Sequence, residues 1–287
     1  MAVTPDLDLS IVVRARSADG LGRTLASLDA IPRVDRGRVE VVVVGDVGDA
    51  EALASLEGQS FGGVEAVAAA GASAAAMWNR GLKHGRGVWV MRLEAGDELL
   101  CNPLPYLDRH PAATCVQFAV RLVKGRGKRL LRPRKLTERN CLRWLTAGNP
   151  VRVQGMVFRK VFATHPFDET LEHLQEWAFW LLNRGVFDRP ALEKKVAAAA
   201  TPNPGDDFNR AAAAPERARI AERMVNRLRF RLPRSQRNNL HLQRACGLRQ
   251  QGKGAPFFKT LVSVPSDSAL YVRGLMSLLF GRAAARR

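Results

Sequence analysis

Short apolar runs alternate with segments of helical periodicity through the first hundred residues, and this alternation limits the possible folds more than any other feature. The apolar runs are LSIVVRARS from Leu9 and three further stretches at 39–49, 64–71 and 88–99. Each of the first three runs leads into a segment whose apolar residues have helical spacing. Nearly continuous apolar strands that alternate with helices indicate a mostly parallel sheet with helices on both faces. We therefore predict an α/β fold of Rossmann type.

Polar and charged residues stand where three of these strands should end. They occupy the segments Arg14 to Ser17, Gly45 to Asp49 and Glu94 to Glu98. In open α/β sheets, ligands bind beyond the carboxyl ends of the strands. We therefore expect the functional site to be built from these three segments.

The second part of the chain has weaker patterns. The run at 115–123 predicts a strand, whereas the strongly basic segment 121–143 predicts a loop, because like charges repel one another. Residues 151–169 indicate a strand, a short helix and a turn. The stretch 169–185 predicts a helix, with Gly185 as its C-cap.

Basic residues are concentrated in one short segment and in the C-terminal part. The net charge is +18; residues 121–143 carry 10 basic and 1 acidic side chain, and residues 202–287 carry 17 and 5. Such a distribution of charge suits binding to nucleic acid, to an anionic membrane surface or to phosphorylated substrates. The segment 121–143 is either a solvated loop or a lid that closes over an anionic donor or a lipid-phosphate acceptor.

Arginines alternate with apolar residues in the C-terminal part. Ile220 and Met224 belong to an amphipathic pattern that continues to Phe230. Two interpretations stay open: a helix that lies on an anionic bilayer surface, and a helical cap that packs on the main domain or on a second subunit. A break rich in Pro and Gly divides the chain into a predicted main domain, 1–200, and a basic, mainly helical region, 201–287.

A membrane-spanning or secreted protein is not indicated. No run reaches the about 18 apolar residues of a spanning helix, and the first ten residues carry Asp6 and Asp8 instead of a basic segment followed by an apolar one. The four cysteines show neither close pairs nor zinc spacing. We expect reduced thiols and a cytoplasmic protein, with at most a peripheral position on the inner face of a membrane.

Four motifs, in this order along the chain, carry a family resemblance. They are LSIVVRARSADGLGRTLASL, VEVVVVGDVGD, MWNRGLKHGRGVWVMRLEAGDEL and GMVFRKVFATHPFDETLEHLQEWAFWLLNRG. They resemble the opening strand and helix, the acidic nucleotide-binding turn, the Asn-Arg-Gly helix with its D-x-D strand, and the acceptor-side block of the family 2 glycosyltransferases. The resemblance implies a GT-A fold and transfer from a nucleotide-sugar donor with inversion. The implied acceptor is a glycan or a lipid-linked molecule of bacterial cell-surface polysaccharide synthesis.

The resemblance also implies roles for individual residues. Asp46 falls where the family contacts the nucleoside of the donor, and a UDP-sugar is the commonest choice of donor. Glu94 and Asp97 fall in the motif that holds the diphosphate through a divalent cation, Mn²⁺ or Mg²⁺. Glu176 takes the place of the acidic residue that acts as the base toward the acceptor hydroxyl.

The carboxylates of these motifs depart from the family pattern. The D-x-D is replaced by EAG followed by Asp97, and the paired aspartates of the nucleotide turn are reduced to Asp46. An arginine fork can neutralise a diphosphate without a metal. Arg14 and Arg16 are therefore alternative ligands for the donor.

Two other classes of function stay open. One is a catalytically degenerate family member that acts as a scaffold. The other is a nucleic-acid-binding protein that uses the basic C-terminal region, which we disfavour because the chain shows no RRM-like aromatic motif, zinc spacing or clear helix-turn-helix pattern.

Overall fold

The computed structural model of the protein describes residues 7–15, 20–45, 60–124, 127–200, 211–228, 233–253, 256 and 260. The strands in these ranges are β1 Leu9–Ala15, β2 Val39–Gly45, β3 Gly63–Ala68, β4 Trp89–Glu94, β5 Glu98–Leu99, β6 Cys115–Lys124, β7 Gly127–Leu131, β8 Met156–Arg159 and β9 Pro190–Ala200. The α-helices are α1 Leu21–Ser27, α2 Arg33–Arg36, α3 Ala74–His84, α4 Leu104–Arg109, α5 Glu138–Ala147, α6 Gln175–Leu182, α7 Ala214–Leu228 and α8 Arg234–Gln250.

The strands form one sheet in the order β3-β2-β1-β4-β8-β6-β9-β5, with β7 paired to β6. The first four strands of this order, β3 to β4, are parallel. β8 runs antiparallel to β4 and to β6, and β9 is parallel to β6. Every residue of β1 and β2 is buried, because helices cover both faces of the sheet. The predicted α/β class, with a largely parallel sheet flanked by helices, is confirmed.

The basic segment after residue 120 forms a hairpin, and α5 begins at Glu138, so the prediction of a loop over 121–143 is wrong at both ends of the segment. β6 and β7 pair in a register that sets Leu122 opposite Arg129 and Val123 opposite Lys128. Each cation of β7 thus faces an apolar residue across the hairpin, and like charges are not directly opposed. The side chains of Lys128 and Arg129 are exposed, so water solvates their charges.

Apolar clusters cover both faces of the sheet. One contains Ile11 and Val41, and the other contains Val12 together with residues of α3, α5, α6, α7 and α8. Helix α3 lies very close to the second face, because a Cβ added at Gly81 would stand 2.3 Å from Cγ1 of Val12. A larger residue at Gly81 would force this helix away from β1.

The helix predicted over 169–185 is shorter than expected. It begins at Gln175, after Leu174 in the left-handed conformation with φ of 57°, and its C-cap is Asn183 instead of Gly185. A contact from far along the chain explains the late start. The backbone N–H groups of residues 172 and 173 donate to the carboxylate of Glu216 in α7, at 2.7 and 2.6 Å, instead of joining the helix.

Helices α7 and α8 pack against the rest of the molecule. Ile220 and Met224 of α7 and Leu240 of α8 are buried in the same cluster as Trp177. The apolar face of α7 is therefore covered by protein, which agrees with the helical cap and leaves that face unavailable to a bilayer. Phe230 lies outside the described residues. The division at 200/201 stays a prediction.

Two further expectations concern membranes and thiols. Among the described residues, no helix has the length and apolar character needed to cross a membrane. All four cysteines are free thiols, and Cys101, Cys115 and Cys141 are buried. Burial raises the pKa of the Cys115 thiol to about 12, so this side chain stays protonated and unreactive at neutral pH.

Candidate functional site

Arg14 and Glu94 meet at the carboxyl ends of β1 and β4. The two residues are direct partners in the parallel register. Nε and Nη2 of Arg14 donate to Oε2 and Oε1 of Glu94 at 2.7 and 2.6 Å. The side chain of Arg14 is 3% exposed and that of Glu94 is 18% exposed. This bidentate pair lies at the strand ends where the sequence predicted a donor site. The carboxylate of Glu94 neutralises the charge of Arg14 there.

Asp97 closes the turn that follows β4. Its Oδ2 accepts the backbone N–H of Glu94 at 2.9 Å, and its backbone carbonyl accepts the hydroxyl of Thr24 at 2.7 Å. The turn requires glycine at Gly96, where φ is 101°. A second glycine lets α1 approach this turn, because a Cβ at Gly20 would stand 2.9 Å from Cα of Gly96. Asp97 is 2% exposed and serves here as a turn cap.

Glu94 and Asp97 do not fit a divalent-cation site in this arrangement. Both carboxylate oxygens of Glu94 accept from Arg14, and Oδ2 of Asp97 accepts a backbone N–H. Across the residues that the structure describes, no cluster of three or more His, Cys, Asp or Glu side chains could hold a metal ion. The predicted metal role of these two carboxylates therefore gains no support from the geometry. Asp46 and Arg16 lie outside the described residues.

Glu176, the predicted base, is held by an arginine that the sequence did not single out. It lies in the first turn of α6 and forms an ion pair with Nη2 of Arg92 in β4. Arg92 is 1% exposed and Glu176 is 7% exposed. Nη1 of Arg92 is buried and has no hydrogen-bond partner among the described residues. The structure thus anchors Glu176 to the same strand that carries Glu94.

Aromatic rings surround the guanidinium of Arg92. Its Cζ lies 4.7 Å from the ring centroid of Trp78, 4.9 Å from that of Phe167 and 5.6 Å from that of Trp180. Each ring face presents negative charge density to the cation. These contacts replace the water that an arginine normally binds and fix the side chain in one position.

Trp78 of α3 connects the two ion pairs. Cζ of Arg14 lies 5.1 Å from its ring centroid, and Cζ of Arg92 lies 4.7 Å from the same centroid. The side chains therefore follow one another in the order Glu94, Arg14, Trp78, Arg92, Glu176. The predicted donor-site residues and the predicted base belong to one contact network. The sequence signals for its unpredicted members were an arginine inside an apolar strand and a tryptophan on the apolar face of α3.

The Asn-Arg-Gly motif has a structural use. Nδ2 of Asn79 donates to the carbonyl of Phe167 at 3.0 Å, and Oδ1 accepts the N–H of Phe167 at 2.8 Å. The side chain thus ties α3 to the turn before α6. Trp177 and Trp180 are fully buried, so both are core residues and neither is exposed to stack on a sugar ring.

Comparisons with known proteins identify structures with a similar fold. No protein-family model matches the chain, and no curated protein matches it. Among solved structures, it is similar to residues 1–349 of S. aureus TarS, with 17% identity and a TM-score of 0.58 over 95% of this chain and 81% of that one. The same TarS fragment in complex with UDP-GlcNAc gives 17% identity and a TM-score of 0.59, over 95% and 80%. The chain spans 48% of a longer TarS structure.

A mannosyltransferase has the same architecture. The mannosyltransferase PcManGT from Pyrobaculum calidifontis, in complex with GDP-Man and Mn²⁺, shares 16% identity with a TM-score of 0.53 over 95% of this chain and 79% of that one. At these identities the similarity establishes the fold alone. The chain therefore has the architecture of proteins whose solved structures include complexes with UDP-GlcNAc and GDP-Man.

Proposed function

We propose that this protein is a glycosyltransferase that moves a sugar from a nucleotide-sugar to a hydroxyl acceptor with inversion. The observation that carries the proposal is the position of Glu176. This carboxylate is anchored by Arg92 beside the carboxyl ends of β1 and β4, in a fold whose solved examples hold UDP-GlcNAc and GDP-Man. The acceptor class we propose is a glycan or lipid-linked molecule of cell-surface polysaccharide synthesis, used at the cytoplasmic side of a membrane.

The proposed reaction is a single displacement at the anomeric carbon. The acceptor hydroxyl attacks this carbon, Glu176 takes the hydroxyl proton, and the bond to the nucleoside diphosphate breaks. The charge that grows on the diphosphate is neutralised by Arg14, which exchanges Glu94 for the phosphate oxygens. Asp46 contacts the nucleoside. No step is assigned to a metal, because the described residues contain no group of three or more His, Cys, Asp or Glu side chains that could hold one.

Thermal stability in the presence of nucleotides tests the donor site. The full chain is heated with UDP, UDP-GlcNAc, GDP or GDP-mannose, each with Mn²⁺, Mg²⁺ or a chelator. A ligand present at 100 times its Kd stabilises the folded state by about 2.7 kcal/mol, which raises the midpoint of unfolding. We expect one base to give this shift, with the shift retained in chelator.

Variants assign that shift to the site. Arg14→Gln should abolish it, whereas Arg33→Gln should not, because Arg33 is an exposed cation of α2 and lies before β2, at the opposite edge of the sheet. If no nucleotide shifts the midpoint of the folded wild-type protein, the proposal fails and the scaffold interpretation takes its place.

A further inference from the structure

A basic site that is separate from the two buried ion pairs lies between the β6–β7 hairpin and the C-terminal end of α5. It is a cavity of about 710 Å³. Four arginines and one tryptophan contribute to its lining: Arg129, Arg132, Arg134, Arg152 and Trp144. No aspartate or glutamate is among the residues that line it. A volume of this size accommodates a ligand of a few sugar rings or a sugar with phosphate groups.

The four arginines of this cavity are exposed, and they differ in their partners from three other arginines of the protein. Arg14, Arg38 and Arg92 each pair with a carboxylate. In contrast, none of the four cavity arginines forms an ion pair with any carboxylate in the part of the chain that the structure describes. Their positive charge is therefore available to a ligand.

One contact holds part of this charge in place. Cζ of Arg134 lies 3.8 Å from the ring centroid of Trp144, which fixes the guanidinium against the cavity wall. The pKa of Arg152 is lowered from its ordinary value, first by desolvation and second by the positive charge of Arg129. The cavity thus brings like charges together, and a bound anion would relieve their repulsion.

Strand register places the cavity beside the proposed catalytic residues. Met91 pairs with Val157, so Met156, which lines the cavity, follows opposite Arg92. Met156 also pairs with Gln117 of β6. Because β8 is antiparallel to both β4 and β6, β6 runs in the same direction as β4, and it continues past the end of β4 into the hairpin. The cavity therefore opens at the same edge of the sheet as the Arg14 and Glu176 sites.

A hydrogen bond links the cavity wall to the helix of the proposed base. Nε1 of Trp177 donates to the carbonyl of Leu145 at 2.5 Å. Leu145 follows Trp144 of the cavity, and Trp177 follows Glu176. The cavity wall and the base are thus held at a fixed spacing, as an acceptor site requires.

We propose that this four-arginine cavity binds a phosphate group of the acceptor, so that the enzyme glycosylates phosphorylated molecules. The proposal rests on the glycosyltransferase function given above and names the chemistry of its acceptor. The phosphate enters among the arginines, Trp144 holds the guanidinium of Arg134 in place, and a hydroxyl of the acceptor reaches Glu176. The phosphate belongs either to a water-soluble phosphorylated molecule or to a lipid headgroup.

Calorimetric titration of the full chain with inorganic pyrophosphate tests the cavity. The double variant Arg132→Gln/Arg134→Gln should bind pyrophosphate at least about tenfold more weakly than wild type, because it removes two of the four charges that would pair with the anion. The matched control is Arg33→Gln/Lys83→Gln, which also removes two exposed cations, both from the opposite edge of the sheet. Absent binding, or equal binding in wild type and the cavity variant, overturns the proposal.

The titration is independent of the donor test. If no nucleotide shifts the unfolding midpoint but pyrophosphate binding still depends on Arg132 and Arg134, the transfer function fails and the anion site stands. If nucleotide binding depends on Arg14 but pyrophosphate binds equally to wild type and to the cavity variant, the acceptor proposal fails and the donor proposal stands.

Vesicles distinguish the two sources of phosphate. Wild type and the double variant are sedimented with phosphatidylcholine vesicles that contain phosphatidylglycerol. Vesicle binding that is lost in the double variant assigns the cavity to a lipid headgroup. If pyrophosphate binds and vesicles either do not bind or bind both proteins equally, the acceptor is water-soluble.

Discussion

Arg92 of β4 and Glu176 of α6 form an ion pair that is buried between the sheet and the helix, although 84 residues separate them in the chain. Their side chains are 1% and 9% exposed. A buried pair of this kind is costly to break, because the remaining charge has no solvent to stabilise it. The pair therefore couples the position of the proposed base to the stability of the fold.

Arg92→Met should lower the free energy of unfolding by about 3–5 kcal/mol, since it leaves Glu176 buried without a partner. Denaturant unfolding followed by tryptophan fluorescence measures this loss. The double variant Arg92→Met/Glu176→Gln should recover part of it, because a neutral amide is less costly to bury than a carboxylate. Equal stability of the single and double variants would show that the pairing does not determine the loss.

Glu176→Gln separates catalysis from binding. The amide keeps an oxygen that can accept from Arg92, so the protein should fold and the nucleotide-induced thermal shift should persist. A base contributes about 10²–10⁴-fold to rate, and release of nucleoside diphosphate from the donor should fall by this factor. In the double variant Gln175→Glu/Glu176→Gln a carboxylate stands at the neighbouring position instead, and turnover should stay low. Unchanged turnover in Glu176→Gln would remove Glu176 from the reaction.

The sequence predicted the strands that carry the site but not every boundary. β1 and β2 are buried on both faces, and such strands appear in the sequence as continuous apolar runs. The run 88–99 was predicted as one strand, whereas β4 ends at Glu94 because Gly96 adopts a left-handed conformation and turns the chain. The positions of Arg14, Glu94 and Asp97 at strand ends could be predicted from the sequence, because strand ends in such sheets are local features.

The partners of these residues could not be predicted, because they depend on tertiary contacts. The pairing of Arg92 with Glu176 joins β4 to α6, and the sequence shows only two isolated charges. The start of α6 depends on Glu216, a residue of α7 more than 40 positions downstream. Asp97 caps the turn after β4, and this role depends on the geometry of the turn, which the sequence does not show.

Glu94→Gln distinguishes an arginine-bound diphosphate from a metal-bound one. The substitution weakens the pair with Arg14 and frees its guanidinium, so affinity for the nucleoside diphosphate should rise about three- to tenfold in chelator. If Glu94 holds a metal instead, affinity should fall and only the Mn²⁺ condition should change. The control is Glu98→Gln, which removes a carboxylate that is 42% exposed and makes only a long contact with Arg23, at 3.8 Å. Titration calorimetry with both variants measures the difference.

Glu40 gives the fold a pH-dependent stability that does not involve the site. Burial favours a higher pKa for this carboxylate, but hydrogen bonds from the Ser10 hydroxyl and from the backbone N–H groups of Arg86 and Gly87 outweigh burial and lower the pKa below 4.5. A lowered pKa in the folded state means that the stabilisation is complete above the pKa of the unfolded chain and is lost as pH falls through the folded value.

Glu40→Gln should therefore destabilise the protein by about 1–3 kcal/mol at pH 7, because the amide cannot accept all of these bonds. The difference from wild type should shrink below pH 4.5, where the wild-type carboxylate becomes protonated. Denaturant unfolding at a series of pH values measures both effects. Glu138→Gln, which changes an exposed carboxylate in the first turn of α5, should differ from wild type by less than about 1 kcal/mol. A Glu40→Gln difference that stays constant with pH would show that the ionised form of Glu40 is not what stabilises the fold.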